Sequence, residues 1–444
     1  MEAVAEETLR QILLKLPTRD VACGRCVSRL WRRVLKDPSF LNLHAHATHV
    51  VSGAGTEALL LSVTQTPGTN PDTTVFNVST STAMCALDVT AVYGAANACN
   101  GFVLLAANTG GWQLPLFVCN PITGDKLRVE PPARSETSDV PLRVHPHMYA
   151  MGYSASTRQY KLFRLSFAAT GNYVHVLTLG RGPEAGVWRR HKGLFQGHGL
   201  GSPPALIDGK LYVLANEREG DRKPDRLLIF DVASETQHAC RLPRCGANEA
   251  ATDVLELHGR PCVAVHEKSP SHCLRFWVLS PAPLSWELRY SFETGVTNDG
   301  TVLQLRHLTD LLRCRHHHHP RAAWLDGDEG MLCYQYGDRV YKYDTTERRG
   351  RIPGYNKVWD HHHRLPISDG CQWTIFGGYR PNLLSPHDLV TAPQQAEERL
   401  EHQVLRVLRS HRTPKKRHLS PCPPPMCDRD DERAAKLQEV FSVD

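Results

Sequence analysis

Six short apolar phrases, each running into a polar turn, recur between Asn77 and Asp344 at a mean spacing of about 53 residues. The clearest is Phe117-Val-Cys-Asn-Pro-Ile-Thr-Gly124. Ile229-Phe-Asp-Val-Ala-Ser-Glu-Thr236 and Tyr341-Lys-Tyr-Asp-Thr-Thr-Glu347 follow the same plan. Val75 to Thr80, Val176 to Gly180 and Phe276 to Ser280 are fainter copies. One such strand–turn–strand unit cannot bury its apolar face alone. Copies stacked into a ring can, and closure leaves only short strand edges. The period therefore points to a kelch-like β-propeller of about six blades, with a closing strand supplied by the C-terminal region.

Local chemistry agrees from about residue 48 to 380. Runs rich in Val, Leu, Tyr and Phe alternate with Gly, Pro, Asn and Asp. Asp208-Gly209 ahead of Lys210-Leu-Tyr-Val213 reads as a hairpin turn feeding a buried strand, as does His258-Gly259 ahead of Arg260. In Asn120-Pro-Ile-Thr-Gly124 the glycine supplies a positive φ. Trp188, Trp277 and Trp286 fall in or beside strands, where packing between blades is their expected work. Gly180 to Trp188 and Asn216 to Asp225 are candidate rim loops.

The first 40 residues have a different period. Leu9, Ile12, Leu13 and Leu16 fall on one helical face, and Pro17 ends that helix. Val21, Cys26, Val27, Leu30 and Trp31 mark a second helix. Val34 and Leu35 mark a third, stopped by Asp37-Pro38. Three helices in so few residues make too small a core to fold well alone. Such a segment is expected to complete its core on a partner.

Composition bounds the rest. The chain has 444 residues, 41% hydrophobic and 22% charged, with a net charge of +6. This is ordinary for a soluble chain of two or three domains and does not by itself imply nucleic acid. The acidic start, Met1 to Glu7, is not a signal peptide, and no stretch is long and apolar enough to span a bilayer. The 14 cysteines are therefore expected to be reduced and largely buried, as at Cys85, Cys119, Cys262 and Cys333. Cys23-Gly-Arg-Cys26 has no second pair nearby and is not expected to bind zinc. The histidine tracts His316 to His319 and His361 to His363 lack further ligands at useful spacing, so no metal or other cofactor is expected. Neither a Gly-x-Ser-x-Gly elbow nor a phosphate-binding glycine loop is present, and no catalytic residues are assigned.

Beyond residue 386 the β pattern ends. Leu400, Val404, Val407 and Leu408 lie on one side of a candidate amphipathic helix from Gln394 to Arg409. The basic run Arg409 to His418 fits a nuclear-import address or a solvated charge cluster. Pro421 to Met426 reads as a disordered spacer.

Two resemblances gather these observations. Ile12-Leu13, Leu16-Pro17, Arg25-Cys26-Val27-Ser28, Trp31-Arg32 and Asp37-Pro38-Ser39-Phe40 together resemble the F-box, although Val4-Ala5 stands where family members usually carry Leu-Pro. Cys119 to Gly124, Met151 to Lys161, Asp208 to Tyr212, Leu279 to Trp286 and Phe376 to Pro386 resemble the F-box-associated, kelch-like domain of plant F-box proteins. Here Ser154-Ala155 replaces that family's Asp-Pro. The implied architecture is α+β and multidomain: a three-helix F-box at 1–46, an all-β propeller at 48–386, and a tail at 387–444.

The implied function is that of a substrate-recognition subunit of a Skp–cullin–F-box ubiquitin ligase, working in the cytoplasm, the nucleus or both. Leu9, Ile12, Leu13, Leu16, Pro17, Val27 and Trp31 are the expected adaptor-binding residues or their supporting core. The expected partners are a Skp-type adaptor, through it cullin and RING subunits, and a target protein that the sequence does not name. No membrane or nucleic-acid partner is expected. The rival reading is a stand-alone propeller enzyme, or a carbohydrate or peptide binder, with a degenerate F-box.

Overall fold

The computed structural model describes residues 2–50, 57–64, 73–78, 82–89, 93–107, 114–132, 147–168, 171–180, 185–191, 204–216, 223–243, 249–267, 273–281, 284–293, 323–326, 331–336, 339–344, 357–359 and 371–390. The two histidine tracts, the Gln394–Arg409 helix, the basic run and the proline-rich segment lie outside these residues.

The N-terminal module contains four helices: α1 (Glu2–Leu13), α2 (Thr18–Gly24), α3 (Arg29–Val34) and α4 (Pro38–Val50). Three details differ from the sequence reading. The first helix stops at Leu13, and Leu14 to Leu16 continue as tight turns, with Leu16 N–H bonded to the Leu13 carbonyl at 3.2 Å. The second helix does not run through to Trp31. It breaks because the Ser28 hydroxyl accepts the Trp31 N–H at 3.2 Å and caps a new helix. Pro38 opens a helix instead of ending one. At the first helical position its missing N–H costs nothing, and the Asp37 side chain accepts the Ser39 N–H at 2.9 Å.

The rest is β. The strands are β1 (Glu57–Thr64), β2 (Thr73–Asn77), β3 (Thr82–Leu87), β4 (Tyr93–Cys99), β5 (Phe102–Ala107), β6 (Leu116–Asn120), β7 (Asp125–Val129), β8 (His147–Ser154), β9 (Gln159–Ala168), β10 (Gly171–Leu179), β11 (Trp188–Arg190), β12 (Ala205–Ile207), β13 (Lys210–Ala215), β14 (Arg226–Asp231), β15 (Gln237–Arg241), β16 (Glu249–Leu257), β17 (Arg260–Glu267), β18 (Cys273–Pro281), β19 (Leu284–Glu293), β20 (Ala323–Asp326), β21 (Met331–Tyr336), β22 (Arg339–Asp344), β23 (Lys357–Trp359) and β24 (Cys371–Tyr379). They form six four-stranded antiparallel sheets. Five are consecutive meanders: β4 to β7, β8 to β11, β12 to β15, β16 to β19 and β20 to β23. The remaining sheet has the order β24-β1-β2-β3, so the last strand pairs with the first. Each sheet touches the next through its innermost strands, and β20 reaches both β1 and β24. The arrangement is an all-β propeller closed by its two ends. The six recurring phrases of the sequence fall on β2, β6, β10, β14, β18 and β22, the third strand of each sheet.

Turn chemistry sets the registers. Asp208 and Gly209 have φ of 47° and 68°, and His258 and Gly259 have 53° and 69°. These are the positive values a two-residue hairpin needs to match strand twist. Apolar side chains from facing sheets interleave between them. Phe163, Leu165, Val174 and Val176 pack with Leu211, Val213 and Phe230, while Phe102, Leu104 and Val118 pack with Met151, Leu162 and Leu177. Cys85, Cys99, Cys119 and Cys262 are buried free thiols.

The indole N–H groups of two of the tryptophans also join sheets. Trp188 donates to the Glu130 carbonyl at 2.7 Å, and Trp286 to the Arg241 carbonyl at 2.8 Å. In both cases an outer-strand tryptophan reaches the end of the preceding sheet's outer strand.

The two ends of the ring differ. Innermost strands run toward the helical module, as the β6–β7 turn shows by packing Ile122 into the helical core. First-to-second and third-to-fourth strand turns therefore lie at that end, and second-to-third connections at the other. The candidate loop Gly180 to Trp188 joins β10 to β11, with 181–184 outside the described residues, so its described ends lie at the helical end rather than on the open rim. Asn216 to Asp225 joins β13 to β14 at the open end, with 217–222 outside the described residues.

Candidate partner-docking site

The helical module divides its motif between two surfaces. Leu9, Leu13, Val21, Ala22, Val34, Leu35, Phe40 and Leu41 are buried together, and Leu383 from the segment after β24 joins them. Leu16 and Trp31 are half-buried against this core, as are Ile122 and Leu384. Gly24 keeps Trp31 close. A Cβ at that position would lie 2.9 Å from the indole, so a larger residue would displace it. Ile12, Pro17 and Val27 face outward, with Ile12 50% and Val27 64% exposed. Leu43 on α4 is also exposed, at 49%, and sequence periodicity did not single it out. Of the seven residues expected at a docking surface, Leu9 and Leu13 therefore support the core, Leu16 and Trp31 bridge core and surface, and Ile12, Pro17 and Val27 are presented to solvent.

The Arg25-Cys26-Val27-Ser28 phrase is split in the same way. Cys26 and Val27 are exposed and Ser28 caps α3, but Arg25 turns inward and is only 5% exposed. Burial lowers its pKa from the usual value, and the carboxylates of Asp125 on β7 and Asp388 oppose that shift. Arg25 thus lies in the seam between the helices and the first meander. Arg19 donates to Thr82 Oγ1 at 2.7 Å, and Thr18 Oγ1 to the Pro381 carbonyl at 3.3 Å, from the same side of α2. No motif spacing pointed to these three contacts. They depend on segments that only the closed ring brings together.

The seam is held by two buried amides. Asn120 Nδ2 donates to Asn382 Oδ1 at 3.0 Å and to the Leu384 carbonyl at 2.7 Å, while Asn120 Oδ1 accepts the Ile122 N–H at 2.8 Å. Asn382 in turn donates to the Asn100 carbonyl. This network fixes Leu383 and Leu384 where the helices need them.

Polar contacts brace the outer side of the helices. Arg10 pairs with Asp37 and lies 3.3 Å from Glu6, which also accepts from Arg33 at 3.0 Å. Burial alone would raise the Asp37 carboxyl. Hydrogen bonds from Ser39 and the Arg10 guanidinium outweigh it and hold the group below its ordinary range. Arg29, Arg32, Arg33, Lys36 and Asp37 line an open, mostly basic cleft of about 470 Å³ beside α3. Cys23 is exposed, yet partial burial of its thiol raises its pKa, so it is not activated as a nucleophile. Among the described residues, no group of three His, Cys, Asp or Glu side chains is placed to hold a metal, and no helix is long and apolar enough to cross a membrane.

The site is thus a small helical platform, seated on a propeller through Arg25 and the Asn120–Asn382 pair and presenting apolar side chains outward. That class of molecule has a counterpart among known families. Residues 6–43 match the F-box domain, and residues 50–292 match the F-box associated beta propeller domain. The chain belongs to the F-box proteins that carry this propeller. A protein of Arabidopsis thaliana named as an F-box protein is 24% identical over 287 residues, covering 62% of this chain and 67% of its own. Among solved structures, a Bacteroides uniformis protein named for 6-phosphogluconolactonase matches 72% of this chain and 100% of its own, at 12% identity and a TM-score of 0.33. The C-terminal WD40 domain of Sif2 matches 62% of this chain and 75% of its own, at 10% identity and a TM-score of 0.31. Values this low carry no functional argument.

Proposed function

We propose that this chain is the substrate-recognition subunit of a Skp–cullin–F-box ubiquitin ligase, its helices docking on a Skp-type adaptor and its six sheets acting as the blades of one receptor ring. The supporting observation is the division of the F-box motif. Leu9 and Leu13 fill the module's own core, while Ile12, Pro17 and Val27 remain exposed after the module has been seated on the propeller. Apolar side chains left outward on so small a platform fit a partner's groove. Arg29, Arg32, Arg33 and Lys36 add positive charge beside them, which would steer an acidic partner to the platform.

On this reading the chain does no bond chemistry. It holds a target near the ubiquitin-charged enzyme that the cullin and RING subunits supply, raising the effective concentration of target lysines. The rigid seat matters for this role, because a receptor that pivoted freely on its adaptor would spread its target over a larger volume.

The test is a pulldown of the full chain with a Skp-type adaptor, beside a Leu16→Ala/Pro17→Ala/Trp31→Ala variant. Capture by the parent but not by the variant supports the proposal, provided the variant's propeller melts with the parent's. No capture by the parent at micromolar concentration overturns it in favour of a stand-alone propeller with a degenerate F-box.

A further inference from the structure

The second meander carries a polar cluster at the end of the ring opposite the F-box. Strand register places His147, Ser166 and Tyr173 in one row and Tyr149, Arg164, His175 and Arg190 in the next, all on one face of β8, β9, β10 and β11. At ordinary strand spacing the two rows cover roughly 14 by 7 Å. The same face continues toward the F-box as Met151, Leu162 and Leu177, which pack into the apolar core. The polar rows therefore form the end of that core away from the helices, with Tyr149 and Ser166 buried, Arg164 and His175 half-buried and Arg190 exposed.

The cluster is rich in donors and, among the described residues, holds no carboxylate. Arg164 lies 6.0 Å from the Tyr149 ring and Arg190 lies 4.7 Å from the Tyr173 ring, and neither pairs with a carboxylate among the described residues. Tyr149 is 6% exposed and Ser166 2% exposed, yet the Tyr149 hydroxyl, the Ser166 hydroxyl, Arg164 Nε and His175 Nδ1 all lack a hydrogen-bond partner among the described residues. Buried polar atoms without partners are costly, and four on adjacent strands of one face call for a common ligand. Burial, reinforced by the charges of Arg164 and Arg190, lowers the His175 pKa to about 4, so its imidazole is neutral near pH 7 and can accept as well as donate.

We propose that this face is a binding site for a phosphate-type oxyanion, gripped by Arg164 and Arg190 and hydrogen-bonded by Tyr149 and Ser166. Two guanidinium groups on separate strands suit an anion with several oxygens and more than one negative charge. A lone carboxylate is satisfied by a single arginine fork. That the anion is carried by a captured protein rests on the receptor reading; anion binding itself does not.

The experiment is calorimetric titration of the full chain with inorganic phosphate, and separately with acetate, at constant ionic strength. The parent is expected to bind one phosphate and to bind acetate far more weakly. Arg164→Gln and Arg190→Gln should each weaken phosphate binding by about tenfold or more, the effect of losing a charge-assisted contact. Arg190 is exposed, so its variant folds, and Arg289→Gln on another sheet serves as the control. Phosphate binding that neither variant alters, or acetate binding as tight as phosphate, overturns the proposal. Adaptor capture without phosphate binding overturns this site alone, whereas phosphate binding without adaptor capture supports the site and removes the receptor reading.

Discussion

Asn382 Oδ1 accepts a hydrogen bond from Asn120 Nδ2 at 3.0 Å, across 262 residues of sequence, and both side chains are buried. This pair ties the segment after the last strand to the first meander and so sets the F-box seat. Asn120→Ala would take the side-chain donor from the Leu384 carbonyl and the acceptor from the Ile122 N–H, and leave Asn382 Oδ1 only the Leu384 N–H, an expected loss of about 1–3 kcal/mol. Denaturant titration measures it. The same variant should expose Leu383, so amide exchange in α2 should rise more than exchange in β16 to β18.

Gly101 is constrained from the same direction. Its φ is +82°, and a Cβ there would sit 2.5 Å from Asn382 Cγ and 2.8 Å from the Asn382 backbone nitrogen. Gly101→Ala combines a left-handed backbone with a backbone clash, so a loss of at least about 1–2 kcal/mol is expected. Gly124→Ala is the comparison. That glycine is also left-handed, at φ +73°, but nothing lies within 4 Å of its added carbon, so it should cost less. Equal losses would contradict the close-approach argument.

The two indole bridges repeat one device. Trp188→Phe and Trp286→Phe keep most of the packing but remove the bonds to the Glu130 and Arg241 carbonyls. Each should cost about 0.5–1.5 kcal/mol, and because the sites lie in different sheets the double variant should show the sum. A strongly non-additive result would mean that the ring transmits strain between these sheets.

His44 links the F-box to pH. Its side chain is fully buried beside Phe40, with ring centroids 5.9 Å apart, and burial lowers its pKa to about 4. The unfolded chain takes up that proton near pH 6.5, so between these values the unfolded state holds more protons and stability falls as pH falls. Glu235 acts at lower pH. Burial would raise its carboxyl, but Arg189 and Lys161 hold it below its ordinary range, so its contribution is present above the usual carboxylate pKa and lost as pH drops further. Melting curves from pH 7 to 3 should show both losses, and His44→Leu should make the stretch between 6.5 and 4 less steep, His175 supplying part of what remains there, without touching the Glu235 part.

Much of the fold is written in local chemistry. Asp208-Gly209 and His258-Gly259 name their own turns, and the six phrases mark the third strand of each sheet because that strand runs directly into a polar turn. Helix boundaries were less legible. Val21 to Trp31 has a continuous helical period, but the Ser28 cap breaks it, and a capping hydroxyl in mid-pattern looks like any surface serine. The seven residues expected at the docking surface were grouped by helical spacing, and spacing did not give their burial. Helical spacing groups Ile12 with Leu13, and only the packed module separates the exposed residue from the buried one. Arg25 and the Arg164–Arg190 pair could not be read from spacing, because their surroundings are assembled from distant strands.

The proposed adaptor docking depends on the outward face of the F-box, and Val27 tests it most directly. Val27 is 64% exposed on the helical module and Val187 is 63% exposed on the propeller, so Val27→Glu and Val187→Glu should fold alike. The measurement is the dissociation constant of each full-length chain for a Skp-type adaptor. Val27→Glu is expected to abolish measurable binding while Val187→Glu binds as the parent does. Parent-like binding by Val27→Glu would contradict the assignment of this face as the adaptor-docking surface.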